Sequence, residues 1–147
     1  MKDNKIRHEN AIIINFSGHR LPTSVFNTLK AQGHQYFHIY SEHIHINADS
    51  DIYEQCYRIV TNLLSKRNQS GQTLLEVEGE KYFLSAGHSQ ANLIIYNAIS
   101  ALLGYCPEMI VTGINKYKFY EYESKQTFNM QSWCGRWRSI ERNKYLS

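Results

Sequence analysis

The chain is poor in cysteine and proline and has no long apolar run. Its three cysteines, Cys56, Cys106 and Cys134, are scattered. They are too few for a disulfide scaffold and form no C-x-x-C pair of the kind that holds zinc, so a reduced, cytoplasmic protein is expected. No apolar stretch approaches the ~20 residues needed to cross a bilayer. The basic start "MKDNKIRHEN" leads into a short apolar segment without the layout of a signal peptide. Neither G-x-G-x-x-G nor G-x-x-x-x-G-K-[ST] occurs, which argues against a dinucleotide or Walker-type site, and there is no G-x-S-x-G elbow. Acidic residues do not cluster. Glu76, Glu78 and Glu80 alternate along an extended stretch and read as its solvated face, which argues against a two-metal nuclease.

What remains is an ordinary globular composition. With 42% apolar and 20% charged residues, 147 residues suffice for one compact domain spanning 1–147. The net charge of +3 is concentrated near the C-terminus. From Trp133 onward Arg136, Arg138, Arg142 and Lys144 stand against Glu141 alone, so attraction to a polyanion should be local. Eleven tyrosines suit a core, an interface or base stacking.

The apolar run "AIIINF" reads as a parallel strand buried on both faces. After "SGHRLP", Val25, Phe26 and Leu29 fall at helical spacing, with Thr23 as N-cap and Gly33 as stop. "YFHIYSEHIHIN" alternates like a strand, with a phase slip at Ser41 and Glu42 that a bulge would explain. "ADSD" caps a strongly amphipathic helix carrying Ile52, Cys56, Ile59, Val60, Leu63 and Leu64. "LLEV" and "YFLSA", split by the turn-like "EGE", read as a hairpin or as a strand with a short excursion. "SQANLIIYNAISALLG" is a helix apolar nearly all round, implying burial on more than one side, and "EMIVTG" and "KYKFYEYE" have strand character. The order β-α-β-α-β-α-β-β predicts an α/β fold: a single Rossmann-like three-layer domain, with helices on the faces of a mostly parallel sheet.

Two strand-to-helix corners look alike. The first holds Asn15, Ser17, Gly18, His19 and Arg20; the second holds Ser85, Ala86, Gly87, His88, Ser89 and Gln90. Ligands of open α/β sheets bind beyond the C-terminal ends of the strands, and a glycine before a helix N-terminus suits a phosphate. The corners therefore read either as a site for an extended phosphodiester or as tight turns with solvated histidines. His43 and His45, with His38 nearby, form a pair without a visible third metal ligand and read as exposed-face residues. Trp133 and Trp137 either pack on the core or stack on bases, with Arg136 and Arg138 on phosphates.

The block "SAGHSQANLIIYNAISALLG" resembles the ring nucleases of viral anti-CRISPR proteins. "NFSGHRLP" is similar to the opening of small CRISPR-associated Rossmann-like proteins of type III systems. The resemblance implies a homodimer, or higher homo-oligomer, that binds cyclic oligoadenylate across its two-fold axis and so regulates type III antiviral signalling. Cyclic tetra-adenylate is the foremost ligand, with no cofactor, metal, membrane or long nucleic acid. His88 would be the general acid and Ser17 a ligand contact, with Arg138 and Glu141 standing where the group has Arg-x-x-Glu. Members either cut the ring or hold it. Cutting would use the substrate's 2′-hydroxyl against the adjacent phosphorus, leave a 2′,3′-cyclic phosphate, and need a proton on the departing 5′-oxygen. A ligand-free interaction subunit is the remaining alternative.

Overall fold

A computed structural model describes residues 8–85, 87–115 and 121–146. Strand β1 (Asn10–Asn15) lies inside a five-stranded sheet of order β2-β1-β3-β4-β5. Its neighbours β2 (Tyr36–Ser41) and β3 (Glu80–Leu84) run parallel to it. β4 (Glu108–Asn115) continues the parallel set, and β5 (Glu121–Phe128) pairs antiparallel with β4. Residues 116–120, where "KYKFYEYE" begins, lie outside the described residues.

Ala11 to Ile14 are fully buried because both faces of β1 are covered. Ile12, Ile14, Phe16 and Phe83 pack under α2 (Ile52–Ser65) and α3 (Ser89–Leu103). Ala11, Ile13, Tyr82 and Leu84 pack against Val25 and Leu29 of α1 (Thr23–Ala31). This is the three-layer α/β arrangement that the element order predicts. Apolar side chains every three or four residues turn one stripe of α2 inward, and the Asp51 carboxylate caps it by accepting from the Glu54 N–H. On the other face, Ser24 and Thr28 of α1 clasp the main chain of Ser124, drawing β5 over the sheet edge.

Three expectations are corrected. The second strand stops at Ser41 because β1, its one neighbour, ends opposite it at Asn15; Ile44 and Ile46 fold onto the core instead. "LLEV" forms no strand. Thr73 to Val77 make a turn that drives Leu74 and Val77 into the core, so Glu76 and Glu78 are loop residues and not a strand face. Thr23 is not the N-cap of α1. Pro22 holds that position and offers no side-chain hydrogen bond.

α3 also departs from expectation, since Ala91, Ile95, Tyr96 and Ile99 are its only buried residues. Tyr96 stands edge-on to Phe83 and donates to the Pro107 carbonyl at 2.7 Å. Burial, helped by the Cys106 thiol nearby, pushes the phenol far above its ordinary value. A phenol that holds its proton more tightly when folded stabilises the fold fully below the unfolded value of about 10 and loses that contribution as pH rises further. Tyr40 and Tyr105 shift the same way through burial, whereas Lys81, lowered by burial, works in the opposite sense. Urea midpoints should therefore fall between pH 9 and 11, and Tyr96→Phe should flatten that fall; an unchanged slope would refute the assignment.

Candidate functional site

The strand order places a topological switch point between β1 and β3. From these adjacent parallel strands the chain leaves in opposite directions, β1 through α1 toward β2 and β3 through α3 toward β4. The two loops diverge and leave an opening beyond the strand ends, where open α/β sheets hold ligands. A cleft of about 1310 Å³ lies there. Asn15, Ser17, His19 and Arg20 from the first corner line it with Ser85 and Gly87 from the second. The Phe16 N–H donates to the Leu84 carbonyl at 3.0 Å and ties the corners together.

Asn15 builds the first corner from below. Nearly buried at the end of β1, it accepts at Oδ1 from the Ser17 N–H at 3.0 Å and the Ser17 hydroxyl at 2.6 Å. Its Nδ2 donates to the His19 carbonyl at 3.0 Å. Gly18 sits inside this loop at φ +72°, a conformation that suits glycine. A Cβ there would stand 2.7 Å from His43 Nδ1, so the bare side of Gly18 is taken by His43 and not open to a ligand.

The second corner works differently. Gly87 has nothing within 4 Å of where a Cβ would be, so its backbone is the one exposed to the cleft. His88 is the N-cap of α3, and its Nδ1 accepts from the Ala91 N–H at 3.1 Å. In the neutral ring an accepting Nδ1 leaves the proton on Nε2. His88, Ser89 and Gln90 do not line the cleft. Ala86 lies outside the described residues. Between the two helix starts, it is therefore α1, uncapped at Pro22, that opens its positive dipole end onto the cleft beside Arg20.

The tail residues go elsewhere. α4 (Met130–Arg136), a π-helical turn (Trp137–Glu141) and α5 (Arg142–Tyr145) form a C-terminal arm. Glu141 accepts from Arg136 at 3.1 Å and pairs with Lys144 at 3.4 Å, so its ion-pair partners are these and not Arg138. Neither Arg136 nor Arg138 lines the cleft. Trp133 and Trp137 pack edge-to-face on one another and stay exposed, neither sunk in the core nor lining the cleft. His43 and His45 are exposed with rings 5.2 Å apart, and His38 contacts Asn68. Among the described residues no three His, Cys, Asp or Glu side chains are grouped to hold a metal ion.

Several lining residues carry no sequence signal as ligand contacts. Ser41 ends β2, Thr112 belongs to β4, Glu123 to β5, and Phe26 and Asn27 to α1. Ser41 alone had a pointer, since the end of a parallel strand beside β1 must border the same opening. Glu123, which pairs with Lys125 at 3.4 Å, lines the cleft from β5, and Arg20 lines it from the first corner. No helix among the described residues is long and apolar enough to cross a membrane. Comparison with family models, with curated proteins and with solved structures finds no match for this chain.

Proposed function

We propose that the cleft binds a cyclic oligoadenylate, with cyclic tetra-adenylate the ring size to test first, and that the protein acts on type III CRISPR signalling by holding this messenger between two copies of the chain. One observation carries the reading: both corners meet at the β1–β3 switch point, beside an uncapped helix N-terminus and a free-standing cationic loop residue, Arg20. Amide donors and a positive helix end favour a phosphodiester there. At about 1310 Å³ the cleft exceeds the ~300–1,000 Å³ of sites for drug-sized ligands, which leaves room for more than one nucleotide. The choice of adenine rests on the sequence resemblance.

His88 favours holding over cutting. Its Nδ1 is engaged by α3, and its ring is not part of the cleft lining. A cleaving variant of this reading would draw the proton for the leaving 5′-oxygen from His88 Nε2 or from His19, which does line the cleft.

The test is incubation with cyclic tetra-adenylate in EDTA, read by thermal shift and by recovery of the ligand. A hundredfold excess over Kd should stabilise the fold by about 2.7 kcal/mol, with the ring returned intact. Linear product that disappears in His88→Ala would replace holding by cleavage. No shift with any cyclic oligonucleotide would leave a ligand-free interaction subunit. Gly87→Ala sharpens the experiment, because its Cβ enters open space at an ordinary φ. Melting should be unchanged while affinity falls roughly tenfold through lost backbone approach; undiminished affinity would remove Gly87 from the contact.

A further inference from the structure

The C-terminal arm holds both tryptophans and the whole net charge of the chain, and none of these side chains lines the cleft. Arg136, Arg138, Arg142 and Lys144 stand there against Glu141, and the rest of the sequence sums to zero. The arm is anchored at its start. Met130 packs on the core, Asn129 caps α4 by accepting from the Ser132 N–H, and Gln131 Oε1 accepts from the Cys106 N–H at 2.9 Å. Outward the arm presents Trp133 and Trp137, each 44% exposed, in a ladder with the exposed ring of Phe128. Successive ring centroids lie 5.9 Å and 5.7 Å apart. The π-helical turn then sets cations beside the rings. Residues five apart lie about 140° from each other around an α-helix but share a side in π spacing. Arg136 Nε accordingly donates to Glu141 Oε1 at 3.1 Å, and Lys144 joins the same carboxylate at 3.4 Å. Arg136 also follows Trp133 by three residues, which makes the two neighbours on the surface of the arm.

We propose that the arm is a second binding surface, for single-stranded nucleic acid, with bases stacked on the ladder and phosphates on Arg136 and Lys144. Aromatic rings along a cationic track hold single strands without reading their sequence. Glu141, 8% exposed, fixes its two cations from below while both remain largely in water. Its bond to Arg136 engages Nε and leaves the Nη groups of the guanidinium for a phosphate. Arg138 and Arg142, exposed and without an ion-pair partner among the described residues, add attraction from further round the arm. A lipid surface fits less well. An interfacial helix keeps charged and apolar side chains on opposite faces, whereas here a cation stands next to a ring. The resemblance implies no long nucleic acid, and a strand held on this arm would correct that expectation. The surface stands whether or not the cleft holds a nucleotide.

Trp133 and Trp137 are the chain's two tryptophans, so intrinsic emission reports this surface directly. A short oligothymidylate, which offers no adenine, should quench it. The logarithm of affinity should fall against that of salt concentration with a slope of about −1.4, as for two single-strand phosphates. Trp133→Ala and Arg136→Gln should each weaken binding roughly tenfold, the second also halving the slope. Lys144→Gln, at an exposed position, repeats the slope test should Arg136→Gln melt early. Absence of quenching, a salt-independent affinity, or undiminished binding by Trp133→Ala would each overturn the proposal. So would quenching that Gly87→Ala abolishes, since the strand would then lie in the cleft, or an emission shift with phosphatidylserine vesicles in place of the oligonucleotide. Oligothymidylate binding by a protein indifferent to cyclic tetra-adenylate would uphold the arm and remove only the ligand proposed for the cleft.

Discussion

Asn15→Ala should cost the fold about 3 kcal/mol and abolish retention of any ligand in the cleft. The side chain is almost wholly buried, and its amide makes three hydrogen bonds to one loop, two from Ser17 and one to the His19 carbonyl. Each is worth about 1 kcal/mol net, and alanine leaves the Ser17 N–H and the His19 carbonyl without this partner in a part-buried place. Without the staple, Ser17, His19 and Arg20 no longer hold one arrangement against the second corner. The urea midpoint should drop with an unchanged slope, which separates lost stability from altered compactness. Asn15→Asp divides the two effects. It keeps an oxygen for both Ser17 donors and gives up the bond to His19, so its stability loss should be the smaller. Binding of a phosphodiester should still vanish, because a carboxylate at the cleft floor repels the ligand's charge. Full stability in Asn15→Ala would mean that other contacts hold the loop.

That double role explains why the corner was only half legible in sequence. Asn15 at a strand end beside the Gly–His pair reads as a ligand group, yet an Asn with Ser two residues on is also the pattern of a side chain closing its own turn. Gly18 and Gly87 look equivalent as letters. What separates them is His43 leaning on one, a contact across twenty-five residues that no local spacing announces. The fold was more readable because its signals are local. The run of isoleucines in β1 could be satisfied only between covered faces, and the caps of α2 and α3 stand in the sequence beside the helices they start. "LLEV" misled because an apolar tetrad suits a strand and a core plug equally, and both edges of β1 were already paired to β2 and β3. α3 misled for a different reason. Apolar composition marks a surface as wanting burial without saying whether its own chain or another supplies it.

The far end of the sheet supplies the control for Asn15. Tyr82→Phe should also cost about 3 kcal/mol, yet leave ligand affinity untouched. The Tyr82 hydroxyl is fully buried among three groups: His34 Nε2, Gln32 Oε1 and Glu80 Oε2. His34 Nδ1 lies 2.6 Å from the His8 carbonyl, which can only accept, so Nδ1 carries a proton. In the neutral ring Nε2 is then the acceptor for the tyrosine hydroxyl. Phenylalanine keeps the edge-on packing against His34, whose centroid is 5.3 Å away, and removes only the donor. The ring nitrogen of a side chain with no solvent exposure is left with only the Glu80 carboxylate 3.8 Å away, and Gln32 and Glu80 lose the hydroxyl as well, a penalty of about 1–3 kcal/mol beyond the bond itself. The loss spreads, since Gln32 passes the network through Thr127 to Glu108 and so links α1, β3, β4 and β5. All of this lies at the strand ends opposite the cleft. Equal stability loss in the two variants, with binding abolished in one and intact in the other, would locate the ligand at the β1–β3 switch point by function. A Tyr82→Phe protein that loses binding as well would mean that the cleft merely reports global stability, and a cost well under 1 kcal/mol would mean that water reaches the imidazole.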